Sequence, residues 1–143
     1  MQTKKIVCSE CNIVNSIKLV EETSPILCTT CEADLDHPFS IEATDESCTT
    51  HIDENEIGVL VDFYSTTCGP CMSMYEAYED AALGFGATVR FIKINADIHQ
   101  KVAAKYGVRA LPTIIAFKNA TEVERINSAL SQVQLSLWAE KLV

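Results

Sequence analysis

Six of the seven cysteines in this 143-residue chain fall into three Cys-x-x-Cys pairs: Cys8/Cys11, Cys28/Cys31 and Cys68/Cys71. No other feature restricts the fold as strongly. The first two pairs lie within residues 1–36, separated by residues 12–27, a spacing that suits a C-x₂-C…C-x₂-C tetrahedral metal site. Each pair is a turn that aims two thiolates at one point, and two such turns complete the tetrahedron. Apolar side chains are sparse in this segment, so burial alone does not hold it folded and a staple is required. Cys8, Cys11, Cys28 and Cys31 are therefore the metal candidates.

The segment reads as a small zinc ribbon, residues 1–36, with iron as the other metal that tetrahedral sulfur serves. Two structural disulfides or four free thiols are the alternative. The β-branched stretch Ile13–Leu27, with a Ser24-Pro25 turn, predicts a hairpin between the pairs. A site filled by four protein ligands is structural, not hydrolytic. Three Lys against six Asp and Glu in this segment are the wrong balance for nucleic acid.

The whole chain carries 11 Lys and Arg against 20 Asp and Glu, a formal net charge of −9, which excludes nucleic acid and a polybasic membrane role. No stretch approaches the roughly 20 apolar residues of a spanning helix. Lys4 and Lys5 are followed by Ile6, Val7 and Cys8 and then by polar residues, so no signal-peptide core forms and a cytoplasmic protein is expected. An odd cysteine count in a reducing compartment argues for metal ligands and redox groups over a disulfide framework.

From residue 37 onward the periodicities alternate. Strands are predicted at Phe39–Ala43, Ile57–Tyr64, Thr88–Ile94, Thr113–Phe117 and Glu122–Ile126. Helices are predicted at Ser47–Asn55, 69–83, Ile98–Tyr106 and Leu130–Leu142. The order βαβαβαββα implies an α/β fold with a central mixed β-sheet flanked by helices. Cys71, Tyr75, Tyr78 and Ala82 form the expected buried stripe of the second helix. Gly107 reads as a helix stop, and Asn119-Ala120 as a turn.

The third pair sits where a buried strand, Val61-Asp62-Phe63-Tyr64, runs into a helix at Cys68-Gly69-Pro70-Cys71. Cys-x-x-Cys beside a βαβ pattern is a redox signature. A thiolate at a helix N-terminus is stabilised by unpaired N–H groups and the helix dipole. The second Cys, one turn on, faces inward and can resolve a mixed disulfide. Buried structural thiols, or half of another metal site, are the plainer alternatives.

These residues resemble the thioredoxin family. The resemblance covers residues 39–143: Val61-Asp62-Phe63 for the strand with a buried Asp, Phe91-Ile92-Lys93-Ile94-Asn95, Tyr106-Gly107-Val108-Arg109-Ala110-Leu111-Pro112-Thr113 and Phe117-Lys118-Asn119. With the two N-terminal pairs, the chain resembles the zinc-ribbon-containing thioredoxin 2 type. The resemblance implies a thioredoxin domain at 37–143 that reduces protein disulfides. Cys68 would be the nucleophile, Cys71 the resolving thiol, Asp62 its proton acceptor and Lys93 the modulator of Asp62. Pro112 would be cis against the sulfurs, and Thr67, Gly69, Pro70, Leu111 and Pro112 would contact substrate. It also implies one structural zinc, no organic cofactor, an NADPH-dependent thioredoxin reductase as partner, and a monomer.

The chain departs from the family at Thr67 and Tyr64, where Trp is usual, at Glu76 in place of a kinking Pro, and at Asn127-Ser128 in place of a Gly. Thr67 is expected to alter partner choice more than thiol reactivity. A peptide-binding adaptor or chaperone is the competing class, and an oxidant or isomerase a third option. Cys48 is expected to be a quiet, partly buried thiol. His37, His51 and His99 are expected at the surface, and Asp53-Glu54-Asn55-Glu56 as a solvated face. Lys93 read by itself could be solvated, and Met72 and Met74 could be core or contact residues.

Overall fold

The computed structural model describes residues 3–18 and 26–143. A two-stranded antiparallel hairpin opens the chain: β1 (Thr3–Val7) pairs β2 (Val14–Lys18), from Thr3 opposite Lys18 to Val7 opposite Val14. Its second strand lies inside the stretch Ile13–Leu27, and its first strand precedes that stretch. Its turn is the first cysteine loop, because Cys8–Ile13 reverses the chain. Ser24-Pro25 lies outside the described residues.

The two cysteine loops are built alike. Cys8 N–H donates to Ile13 O at 2.9 Å and Cys28 N–H to Ala33 O at 2.8 Å, while Asn12 N–H and Glu32 N–H return to the carbonyls of Cys8 and Cys28. Closing each loop requires a left-handed residue, Asn12 (φ 63) and Glu32 (φ 65). Asn tolerates that conformation; Glu pays a steric cost of about 1 kcal/mol.

The second unit follows the predicted order: β3 (Ile41–Ala43), α1 (Asp45–Glu54), β4 (Gly58–Tyr64), α2 (Gly69–Ala82), β5 (Val89–Asn95), α3 (Gln100–Lys105), β6 (Thr113–Lys118), β7 (Thr121–Ile126) and α4 (Gln132–Glu140). The sheet order is β3-β5-β4-β6-β7; β3, β5 and β4 are parallel, and β6 and β7 antiparallel. Central β4 is buried on both faces, as its unbroken apolar run requires. One face packs on α2 and α4 through Tyr78, Phe91 and Leu135. The other packs on α1 and α3 through Ile52, Val61, Ile94 and Val102.

Several boundaries differ from the sequence reading for identifiable reasons. Helix α1 starts two residues early because Thr44 and Ser47 form a reciprocal capping box. Strand β3 starts late, at Ile41; Phe39 is exposed and stacks edge-on against His37 at 5.6 Å. The buried stripe of α2 is Cys71, Met74, Tyr78, Ala81 and Ala82; Tyr75 points outward, and Met72 is 42% exposed. Leu130 and Leu142 flank α4 but are buried like its own Leu135. Gly107 (φ 65) terminates α3 as expected.

The N-terminal hairpin and cysteine loops are joined to the sheet partly through groups the sequence reading placed in solvent. His51 is fully buried, and its Nδ1 accepts from Asn55 Nδ2 at 2.9 Å. Burial lowers its pKa to about 3, so it is a neutral core imidazole. The expected solvated face fails only at Asn55. Asp53, Glu54 and Glu56 are exposed, and Glu56 also exchanges two hydrogen bonds with the Lys5 backbone; Asn55 is buried, and its Oδ1 accepts from Val7 N–H at 2.7 Å. Asp36 Oδ1 accepts from Ala87 N–H at 2.7 Å. Ile6, Cys8, Cys28 and Leu35 share a cluster with Ile57 and Ala87 of the second unit. Cys48 is fully buried, more than expected, and burial pushes its thiol up to about 12, which keeps it protonated and inert.

Candidate functional site

Strand β4 delivers the chain to Ser65-Thr66-Thr67, and α2 begins at Gly69, so Cys68 is the N-cap. Its Sγ accepts from Cys71 N–H at 3.2 Å, as an N-cap oxygen would. Pro70 in the first helical turn costs no hydrogen bond, since its N–H would be unpaired there anyway. Cys68 and Cys71 form a disulfide with a Cα–Cα separation of 5.2 Å. The two sulfur positions are unequal. Cys68 is half-buried, whereas Cys71 is 2% exposed. A dithiol arranged in this way attacks with the first cysteine and closes with the second.

Asp62 lies on β4, 3% exposed, and its Oδ1 has no hydrogen-bond partner among the described residues. Burial pushes its pKa up to about 7; Lys93 acts against that shift and Glu42 adds to it. A cavity of about 260 Å³ joins it to Cys71, with Glu42, Tyr64, Tyr75 and Lys93 among the lining residues. A buried carboxyl poised near neutrality beside a buried thiol can act as a proton acceptor. A wider groove of about 490 Å³ between α1 and α3, lined by Asp45, Thr49 and Lys105 among others, contains no cysteine. Chemistry rather than size picks the site.

Lys93 stands opposite Asp62 in the β4/β5 register, but its ammonium lies 3.2 Å from Glu79 Oε1 and 4.1 Å from the Tyr75 ring centroid. It is not freely solvated, being 12% exposed. The Leu111–Pro112 peptide is cis, with Pro112 buried and Leu111 half-buried. Antiparallel pairing sets Thr113 opposite Phe63. That register brings the cis-proline to the end of β4 from which the Cys68 loop departs. Thr67, Gly69 and Pro70 are exposed around it, and Thr67 Oγ1 lies 3.3 Å from Ser65 Oγ. Sequence reasoning did not single out Glu42, Glu79 or Arg90. Glu42 could have been noticed as the polar residue between buried Ile41 and Ala43.

Cys8, Cys11, Cys28 and Cys31 form the second cluster, with all four sulfurs within 4.8 Å of one another. Cys8 and Cys31 Sγ are 3.5 Å apart, and Cys11 and Cys28 Sγ 3.6 Å. A tetrahedral ion with metal–sulfur bonds of ~2.3 Å requires sulfur–sulfur edges of about 3.8 Å, so the set fits. Three N–H donors support it: the backbone N–H of Glu10 points at Cys8 Sγ, and the backbone N–H of Thr30 and the side-chain amide of Asn15 point at Cys28 Sγ. The backbone N–H groups of Cys31 and Thr30 pull the Cys28 thiol down to about 6, while burial and the neighbouring thiols push Cys31 up to about 12 and raise Cys11, as expected of thiols crowded together. These four residues could hold a metal ion.

Comparison with known proteins agrees with this geometry. The thioredoxin family model matches residues 39–141. Thioredoxin 1 of Nostoc sp. is 30% identical over 100 residues, covering 70% of this chain and 94% of that protein. Thioredoxin C-3 of Corynebacterium nephridii is 28% identical over 136 residues, covering 95% of this chain and 93% of its own, so that match extends into the N-terminal segment. The structure of a mutant thioredoxin from Halobacterium salinarum NRC-1 superposes with a TM-score of 0.65 at 28% identity, over 77% of this chain and 94% of that one.

Proposed function

The chain belongs to the thioredoxin family, and from that premise we propose that it reduces protein disulfides by dithiol–disulfide exchange through Cys68 and Cys71. The observation that carries the reading is the pair itself: a half-buried cysteine at a helix N-cap, bonded to a buried one beside an unpartnered carboxyl.

In the reduced protein, the Cys68 thiolate attacks one sulfur of a substrate disulfide, and the other substrate sulfur leaves as a thiolate that takes a proton from water. Cys71 then gives its proton to the Asp62 carboxylate. Its thiolate attacks Cys68 Sγ, the bond from Cys68 to the substrate breaks, and the second substrate thiolate departs and is protonated. Two electrons have moved to the substrate, and the protein holds the Cys68–Cys71 disulfide. An NADPH-dependent thioredoxin reductase supplies the two electrons that reopen it.

Leu111 and cis-Pro112 offer backbone to an extended substrate segment, and Thr67, Gly69 and Pro70 form the rest of its contact. Thr67 sets partner choice, and Thr67→Trp tests that across a panel of oxidised proteins. Residues 1–36 are a zinc ribbon held by Cys8, Cys11, Cys28 and Cys31, and residues 37–143 the thioredoxin domain. The metal is structural and takes no part in exchange. The protein acts as a cytoplasmic monomer.

The test is insulin reduction with dithiothreitol, and NADPH oxidation coupled to a thioredoxin reductase. The wild type is expected to be active and Cys68→Ser inactive. A wild type without activity, whose peptide binding survives Cys68→Ser, would instead identify an adaptor.

A further inference from the structure

Lys93 has two carboxylates to choose between, and its choice bears on the proton step. It faces Asp62 across the parallel register, where directly opposed side chains are neighbours. Yet Lys93 Nζ lies 3.2 Å from Glu79 Oε1, and Asp62 Oδ1 has no partner among the described residues. Glu79 and Tyr75 sit one turn apart on α2, the spacing that puts two side chains on one helix face, and together they bracket the ammonium. Ser40 Oγ donates to Glu79 Oε1 from the chain ahead of β3, which fixes the carboxylate in place.

Solvation explains the preference. Glu79 is 26% exposed and pairs with the ammonium at the edge of solvent, whereas Asp62 is 3% exposed and would draw the ammonium into the interior. Among the described residues, the other groups facing Asp62 offer no second cation. Glu42 on β3 accepts from Tyr64 Oη at 2.7 Å. Tyr78 of α2 spends its hydroxyl on the carbonyls of Leu60 and Ile92, and Cys71 of α2 is in the disulfide. Strand β6 presents neutral Thr113 and Ile114. The protonation of Asp62 is thus exposed to wherever the Lys93 charge is held.

We propose that Glu79 is a positioning residue for proton transfer from Cys71: it holds the Lys93 ammonium off Asp62, leaving that carboxyl free to accept the proton. The assignment rests on the oxidoreductase reading above. Glu79 touches neither sulfur nor substrate; it acts through Lys93. Without it, Lys93 swings to Asp62, stabilises the carboxylate and weakens it as a base.

The test is Glu79→Gln, read by ¹³C NMR titration of the Asp62 carboxyl together with the pH profile of insulin reduction. An opposite charge brought close lowers a carboxyl by about 1–3 pH units, so the Asp62 midpoint is expected to fall by about one unit or more, and the acidic limb of the profile to move down with it. Adding Lys93→Met to Glu79→Gln is expected to bring the midpoint back to the wild-type value or above. Ser40→Ala, which only loosens Glu79, is expected to give a smaller shift of the same sign. An unchanged or raised midpoint in folded Glu79→Gln, or a double variant identical to the single one, would overturn the role. The titration reads Asp62 whether or not the protein is an enzyme. A wild type that reduces no disulfide defeats the oxidoreductase reading, while an active wild type with an immobile midpoint defeats the role of Glu79 alone.

Discussion

Arg90 of β5 donates from Nη2 to the carbonyl of Val7, the residue immediately before the first cysteine of the four-cysteine cluster, at 3.1 Å. The same nitrogen reaches Leu35 O at 3.3 Å. The guanidinium is fully buried, and its Nε and Nη1 have no partner among the described residues. Burial lowers its pKa to about 10, and the charges of Cys8 and Asp36 work against that shift. Four thiolates around a divalent ion carry a net charge of −2, so a buried cation beside them offsets charge that water cannot reach.

Replacing that guanidinium is expected to loosen the ribbon. Arg90→Met removes a charged donor shared by two carbonyls, worth about 1.5–3 kcal/mol per hydrogen bond, and relief of the buried charge returns part of it. A net loss of about 1–3 kcal/mol in urea unfolding is expected, with faster amide exchange in β1 and easier extraction of the metal by a chromogenic chelator. Stability and extraction both equal to wild type would show that Arg90 does not tie the two units together.

Asp62 gives the stability of the protein a defined pH dependence. Its folded pKa of about 7 lies above the ordinary 3.8, so its neutral form is favoured in the folded state. That contribution is full below about pH 4 and is lost as the pH rises through about 7. Asp62→Asn is therefore expected to stabilise the protein by roughly 2–4 kcal/mol at pH 8, with the gap to wild type closing below pH ~4. The same variant is expected to slow the resolving step about tenfold to a hundredfold. Denaturation at pH 4, 6 and 8, with stopped-flow reduction alongside, measures both.

Metal removal should act locally. The ribbon's own core consists chiefly of Ile6, Leu35 and the two buried cysteines, which is too little to hold the cysteine loops without an ion. Chelation, or Cys28→Ser, is expected to abolish amide protection in β1 and β2 while the cooperative melting of the α/β unit persists. Metal analysis on the same sample identifies the ion. Protection that survives in metal-free protein would assign the ribbon's order to its contacts with Asn55, Glu56 and Arg90.

The β6–β7 turn offers a gain. Asn119 (φ 51) and Ala120 (φ 64) both lie in the left-handed region of a two-residue hairpin turn, and the Cβ of Ala120 opposes that conformation. Ala120→Gly removes the strain at some cost in unfolded-state entropy, and a net stabilisation of about 0.5–1 kcal/mol is expected. A lower melting temperature in this variant would contradict the argument.

The sequence by itself determined the element order, the buried central strand, the placement of a cysteine at the start of α2, and the pairing of four cysteines into one cluster. These rest on local spacing: period-2 and period-3.6 patterns, a Pro in a first helical turn, and two residues between thiols. Local spacing does not say which face a polar residue meets, and there the reading failed. His51 and Asn55 look like surface residues because they sit among Asp and Glu, yet the fold closed over both: His51 is fully buried against Asn55, and Asn55 accepts from Val7 N–H, 48 residues away. Arg90 looks like an ordinary charge in a strand until the ribbon covers it. Tertiary structure also decided where the Lys93 charge is spent, because Glu79 reaches it from α2 and Ser40, from the chain ahead of β3, bonds Glu79. Burial and ion pairing depend on what packs from a distance, and that is settled only when the chain closes.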